Sequence, residues 1–293
     1  MRGFASLNPR VLALYFLSVL LITMFMWNPA IQIISLLGSL LLLSTLTSAK
    51  EMLSDICFYA VLILLIIAVN LMFSHNGETP MFFLNGNPIT FEALLYGAEA
   101  GVMIVSVIAW CKCLSRIITT DKFQYIFGGV APEVMLILSM ALRFIPLFKR
   151  QYKRVSNAQK AMGIYSQESR ADKLKGGVWT LSALTSWSLE NAVETGNAMK
   201  ARGYGLKPRS HYAIFKFGIN DFIIALIVIA FTVVVLISSS LGKLDFYFYP
   251  NISGFDLSYL SITAYISFGV LTLMPYFIET KEDIKWKFYI SRI

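Results

Sequence analysis

The sequence predicts an all-α integral membrane protein, with about six transmembrane helices and a large cytoplasmic insert of two long helices. Three observations carry that expectation. Only 14% of the 293 residues are charged while 57% are hydrophobic, too few charges to cover the surface of a soluble globule. Several uncharged runs approach the 20 or so helical residues that cross a hydrocarbon core of about 30 Å. Finally, six crossings that start with Arg2 and Arg10 inside leave 24 of the 25 Lys and Arg residues on the inner side, the bias expected of cytoplasmic loops.

Taken in order, the spans are residues 11–27, 30–48, 56–73, 93–111, 222–242 and 257–278. The first has 17 residues and is slightly short. A basic start, an apolar core and Ala30 imitate a signal peptide, but no small-x-small cleavage pattern follows, so an uncleaved first helix is expected. The loop 74–90 carries no Lys or Arg and is rich in Asn, Gly and Pro, so it reads as an external turn region. Glu99 alone interrupts the fourth span. Burying an acid in hydrocarbon is costly, which makes it a candidate for a structural hydrogen bond or a proton or ion site. Glu92 is expected at the solvated interface. Lys243 is the single external cation. Cys57 lies within a span and Cys111 and Cys113 at an inner helix end, where a reducing compartment disfavours disulfides. Both termini are expected in the cytoplasm.

Three regions follow: residues 1–118 with four spans, residues 119–218 with no spanning run, and residues 219–293 with two spans and the basic tail "KEDIKWKFYISRI". The apolar stretch 134–142 has nine residues and cannot span. An insert of this length needs structure of its own. Its first helix is expected from Pro132, a favoured first-turn residue, to Gly163, with a kink at Pro146. Phe144, Phe148, Tyr152 and Val155 recur on it at helical spacing. The second is expected from about Lys173 or Val178 to Arg202, with an apolar stripe of Leu181, Leu184, Trp187 or Ser188, and Ala192. Ala192 and Gly196 form a small-xxx-small pair that permits close helix contact.

The two helix ends resemble each other. "AQKAMGIY" begins at Ala158 and "AMKARGYG" at Ala198, 40 residues later. Both run into a glycine, Gly163 or Gly203, placed to cap the helix in the left-handed conformation. Nearby cations, Arg154 and Lys160 at the first end and Lys200, Arg202, Lys207 and Arg209 at the second, complement the negative pole of the helix dipole.

Enzymatic signatures are missing. There is no GxxxxGK[ST] phosphate loop, HExxH or GxSxG. His75 and His211 fall on opposite sides of the expected membrane and cannot share a metal. No basic face interleaved with stacking aromatics suggests nucleic acid. A membrane-bound enzyme holding a phosphate at the inner surface with Arg143, Arg202 and neighbouring lysines is the alternative reading. It would have only the scattered acids Glu168, Asp172, Glu190 and Glu194 for its chemistry. A self-contained carrier built on Glu99 would call for repeated spans, and the sequence has none.

The stretches "LRFIPLFKRQYKRVSNAQKAMG" (142–163) and "ENAVETGNAMKARGYG" (190–205) resemble the paired coupling helices of the transmembrane T component of energy-coupling factor (ECF) transporters, the cobalt-transport-like (CbiQ-like) family. "LNPR" at 7–10 and "PRSHYAIFKFGINDFIIA" at 208–225 are similar to that family's flanking segments. The resemblance covers nearly the whole chain. It implies a non-catalytic subunit of a vitamin or transition-metal importer. Its partners would be two ABC-type ATPase subunits, which bind the ATP and Mg, and a substrate-binding membrane S component, with the lipid bilayer around them. The implied contact motifs are Ala161-Met162-Gly163 and Ala201-Arg202-Gly203, supported by Arg154, Lys160, Lys200 and Tyr204. The first motif departs from the family pattern, with Met162 where arginine is expected. The resemblance implies no cofactor or metal in this chain.

Overall fold

The computed structural model describes residues 3–290 except 75, 85, 86, 130, 164–169, 207–214, 216 and 251. His75, His211, Glu168, Lys207 and Arg209 therefore lie outside the described residues. The chain forms two compact units, residues 1–126 with 215–293, and residues 127–214.

The first unit contains α1 (Pro9–Phe25), α2 (Pro29–Leu46), α3 (Ala49–Phe73), the strands β1 (Pro80–Leu84) and β2 (Asn87–Thr90), and α4 (Phe91–Ile117). It continues with α5 (Thr120–Gly128), α8 (Ile219–Ser240) and α9 (Tyr259–Ile290), while α6 (Pro132–Ala161) and α7 (Arg170–Ala201) make up the second unit. Among the described residues, five helices, α2, α3, α4, α8 and α9, are long and apolar enough to cross a membrane. The 17 residues of α1 reach about 26 Å at 1.5 Å per residue. Its shortness is accommodated because α1 is wrapped by protein: Val11, Leu12, Tyr15, Phe16, Val19 and Ile22 are all buried.

Local chemistry sets the helix starts. Asn-Pro opens both α1 and α2. The Asn8 and Asn28 side chains each accept the amide two residues on at 3.1 Å, and proline at the first turn forgoes an amide that would have no partner. Ser48 accepts the Glu51 amide at 3.4 Å to start α3, and Thr90 accepts that of Ala93 at 3.3 Å to start α4.

One end of the core is aromatic. Phe4, Tyr15, Phe16 and Trp110 meet edge to face, with Phe4 and Tyr15 centroids 5.1 Å apart. Their polar atoms are satisfied: Trp110 donates to Ser35 Oγ at 3.0 Å and Tyr15 to the Leu271 carbonyl at 3.2 Å. Ile22, Met26, Ile31, Val235, Leu244, Ala264 and Phe268 form a second cluster. In contrast, α3 buries Tyr59 alone. It is held to α4 at one end by Asp55–Lys112 (2.6 Å) and Glu51–Arg116 (3.0 Å), and at the other by Asn70 donating to the Ala93 carbonyl at 2.6 Å.

The N-terminal segment is clamped. The Phe4 amide donates to Glu279 at 2.9 Å and the Asn8 amide to Asp221 at 3.0 Å. Lys122 donates to the carbonyls of Ala5 and Ile117 at 2.6 and 2.9 Å. Burial holds the Lys122 ammonium below the usual lysine pKa, with the Glu279 carboxylate opposing the shift.

The loop 74–90 contains an antiparallel hairpin, β1 with β2. One expectation fails in this unit. Glu92 is 2% exposed, not solvated, because Thr79 on the approach to the hairpin donates its hydroxyl to the carboxylate at 2.7 Å. Glu99 is 6% exposed, and neither carboxylate oxygen has a hydrogen-bond partner among the described residues.

Candidate functional site at two helix tips

In the second unit, α6 and α7 form the framework of the site. Phe148 packs edge to face on Trp187 at 5.5 Å, and the Thr180 hydroxyl donates to Gln159 Oε1 at 2.6 Å. Those two contacts order the helices antiparallel, so their C-terminal tips lie at opposite ends of the pair. With 1.5 Å rise per residue the tips stand up to about 40 Å apart.

The buried line of α7 is Gly176, Thr180 and Leu184, continued by the half-buried Trp187, Asn191 and Thr195. The expected apolar stripe is therefore displaced: Leu184 and Trp187 belong to it, whereas Leu181 and Ala192 are exposed. Leu184 and Trp187 face inward beside the small and polar Gly176 and Thr180, while Leu174, Val178, Trp179, Leu181, Leu189 and Val193 turn outward. A Cβ built on Gly196 meets nothing within 4 Å, so the pair Ala192–Gly196 makes no close helix contact among the described residues. On α6, Phe144 stacks edge-on against Phe148, but Tyr152 is exposed.

Both helices end on a left-handed glycine. Gly163 has φ +76° and Gly203 φ +83°, a region side chains rarely adopt. At the second tip the Gly203 amide donates to the Lys200 carbonyl at 3.0 Å and the Tyr204 amide to the Met199 carbonyl at 3.0 Å. This is the paired bonding of a Schellman cap, which satisfies carbonyls that a helix end otherwise leaves open. At the first tip the Gly163 amide makes the matching bond to the Lys160 carbonyl at 3.0 Å.

The caps leave the side chains free to face outward. Ala161, Met162, Ala201, Arg202, Lys160, Lys200 and Arg154 are exposed, and Gly203 is half-buried. None of these four cations forms an ion pair within the described residues. The second tip therefore presents an unpaired planar fork with five donors, and the first presents a thioether that is 69% exposed. The residues of each motif sit together on their own tip, and the two motifs sit apart. Sequence reasoning missed Gly205 and Leu206. A second left-handed residue, Gly205 at φ +99°, extends the turn, and Leu206 leaves it highly exposed. The signal was a glycine pair followed by an apolar residue in an otherwise basic stretch.

The cobalt transport protein family (CbiQ) matches residues 5–212. Energy-coupling factor transporter transmembrane protein EcfT 1 of Listeria monocytogenes is 27% identical over 187 residues, 58% of this chain and 68% of that protein. EcfT of Lacticaseibacillus paracasei is 35% identical over 95 residues, 32% of this chain and 36% of that protein. A putative ABC transporter ATP-binding protein of Bifidobacterium longum is 27% identical over 247 residues, 78% of this chain but 31% of that longer protein. By that family match and these likenesses, the chain belongs to the cobalt transport protein family of transmembrane T components of ECF transporters.

Proposed function

We propose that this chain couples ATP hydrolysis in two ABC-type ATPase subunits to a substrate-binding membrane subunit, within an importer of a vitamin or transition metal. Ala161-Met162-Gly163 and Ala201-Arg202-Gly203 each enter a groove on one ATPase. The observation that carries this reading is the pair of glycine-capped, outward-facing tips at opposite ends of one helix pair, one of them bearing the unpaired Arg202. A further support is the relative named as an ABC transporter ATP-binding protein, which holds a stretch like this chain within one polypeptide.

The physics of the tips suits the role. A helix is stiff along its axis, and small residues at its end let it enter a groove without steric cost. Arg202 engages a carboxylate bidentately, and Met162 adapts its unbranched side chain to an apolar surface. Tips up to about 40 Å apart at 1.5 Å rise per residue need two receptors, which a dimer of ATPases supplies. Closure of that dimer on ATP and Mg then moves both ends of one rigid pair. The chain itself is non-catalytic. The cation distribution supports a cytoplasmic side for both termini and the second unit, with the spans in the cell membrane. The outward apolar side chains of α7 are the surface for the membrane partner. Purification from native membranes in mild detergent, with every co-purifying subunit identified, tests the assembly. Recovery of the chain without any ATPase subunit, under conditions that preserve other membrane complexes, refutes it.

A further inference from the structure

A cavity of about 370 Å³ opens where the N-terminal segment meets the first turns of α8 and the last turns of α9. Its rim holds Ser6, Asn220, Lys281 and Lys285, and its wall holds Ile223, Ile224 and Ile278. Cations stand at one level and apolar side chains directly below.

The acids nearby are already hydrogen-bonded or paired. Asp221 accepts the amides of Asn8 and Gly218 at 3.0 and 2.9 Å. Glu279 accepts the Phe4 amide at 2.9 Å. Glu282, which also lines the cavity, pairs with Lys285 at 3.3 Å. Lys281 has no ion-pair partner among the described residues. The clamp described above also fixes one wall: Ser6 and Leu7 lie between the bonded Phe4 and Asn8 and cannot swing away. The cavity is thus preorganised, and its own lining holds two lysines against one acid, Glu282.

Its level relative to a bilayer follows from helix length. The 32 residues of α9 extend about 48 Å at 1.5 Å each, beyond a hydrocarbon core of about 30 Å. Its last turns therefore leave the apolar layer, and they carry Lys281 and Lys285 beside exposed Ile284, Trp286 and Tyr289, side chains suited to a headgroup boundary. Basic pockets between spanning helices at this depth recognise anionic headgroups.

We propose that this cavity binds the phosphodiester headgroup of an anionic glycerophospholipid, with Lys281 and Lys285 on the phosphate, Ser6 and Asn220 on the glycerol oxygens, and the acyl chains along Ile223, Ile224 and Ile278. A free phosphate shares the chemistry of the rim but has no use for an isoleucine wall, so the lipid is the better fit.

The test uses the full-length chain in mild detergent, supplied with dioleoylphosphatidylglycerol or dioleoylphosphatidylcholine and read by native mass spectrometry. Phosphatidylglycerol should be retained in preference to phosphatidylcholine. Lys281→Gln and Lys285→Gln should each weaken retention about fivefold, and the double variant about thirtyfold, the scale of a lysine near an anionic surface. Lys50→Gln, at the start of α3, controls for net charge and should retain lipid normally. Asn220→Trp fills the cavity with the charge unchanged and should also lose the lipid. Size-exclusion profiles confirm that each variant is folded. Equal retention of both lipids, wild-type retention by the double variant or by Asn220→Trp, or release of phosphatidylglycerol by millimolar inorganic phosphate overturns the proposal. The last outcome would assign the rim to a free anion.

Discussion

Replacing Arg202 by alanine removes a charge and a five-donor fork from an exposed tip, and nothing from inside the chain. Arg202 makes no ion pair with described residues. Its own amide, which bonds the Ala198 carbonyl at 3.1 Å, survives the substitution, as does the glycine cap that follows. Thermal stability of the isolated chain should therefore stay within experimental scatter. Any loss of assembly then belongs to the interface. A partly desolvated arginine at an interface centre contributes about 2 kcal/mol or more, so ATPase affinity should fall about thirtyfold. Arg202→Lys keeps the charge but not the fork and should recover part of the loss.

Met162→Ala supplies the comparison. Full burial of a methionine contributes about 1.5–3 kcal/mol. With 69% of Met162 exposed in the isolated chain, about 1–2 kcal/mol is the most the groove can recover from it. The two magnitudes overlap, so their salt dependence separates them. Raising ionic strength from 0.1 to 1 M shortens the screening length from about 10 to about 3 Å. The difference between wild type and Arg202→Ala should shrink, while that for Met162→Ala persists. The assay is ATPase recovered with tagged chain at matched membrane expression, in both salts, alongside substrate uptake. Wild-type assembly and uptake in Arg202→Ala would refute the reasoning, as would identical salt responses of the two variants.

Further tests address the topology, the chemistry and the bundle. In a cysteine-free background, single cysteines at Asn76, Asn157 and Asp283 should differ in reaction with an impermeant reagent applied to intact cells. Only position 76 should label, and labelling at 157 from outside would overturn the assigned orientation. Purified chain shown free of ATPase subunits should not hydrolyse ATP, because it has no phosphate loop; sustained turnover by such a sample defeats the subunit reading. Gly38→Leu should destabilise the first unit by about 1–3 kcal/mol through overpacking, since even a Cβ at Gly38 would lie 2.6 Å from Thr272 Cβ. A thermal midpoint in detergent equal to that of wild type contradicts the close contact of α2 with α9.

The spans were legible because each is nearly free of charge, yet an uncharged run marks the apolar layer rather than the helix. The runs ended at residue 111 and began again, one helix earlier, at residue 56, whereas α4 continues to Ile117 and α3 begins at Ala49. Both omissions have one cause. Lys112 and Arg116 on α4 pair with Asp55 and Glu51 on α3, so the charges that ended the runs are partners of each other. Likewise α9 runs on to Ile290 through its basic, aromatic tail. The hairpin was illegible for a different reason. Its strands have five and four residues and include Pro80 and Pro88, whose missing amides are tolerated only at sheet edges. The capping glycines Gly163 and Gly203 were legible, because glycine readily adopts the left-handed conformation that ends a helix, whereas the extension of the second tip by Gly205 and Leu206 was not.

What misled most was the hydrophobic pattern of α7, and the error is informative. Hydrophobic periodicity assumes that apolar residues face the protein, but the inward line of α7 mixes the small and polar Gly176 and Thr180 with Leu184 and Trp187. The Thr180–Gln159 bond closes the polar contact. The large apolar residues Leu174, Val178, Leu181, Leu189 and Val193 are then left on the exposed side. Exposed apolar surface of this extent marks an interaction site. The proposed assembly assigns that outward apolar face of α7 to a hydrophobic partner. The polar tips, in contrast, carry charge and blunt backbone turns suited to aqueous grooves. On the proposed function, one pair of helices separates two kinds of contact along its length: charged tips for the ATPases and an apolar face for the membrane subunit.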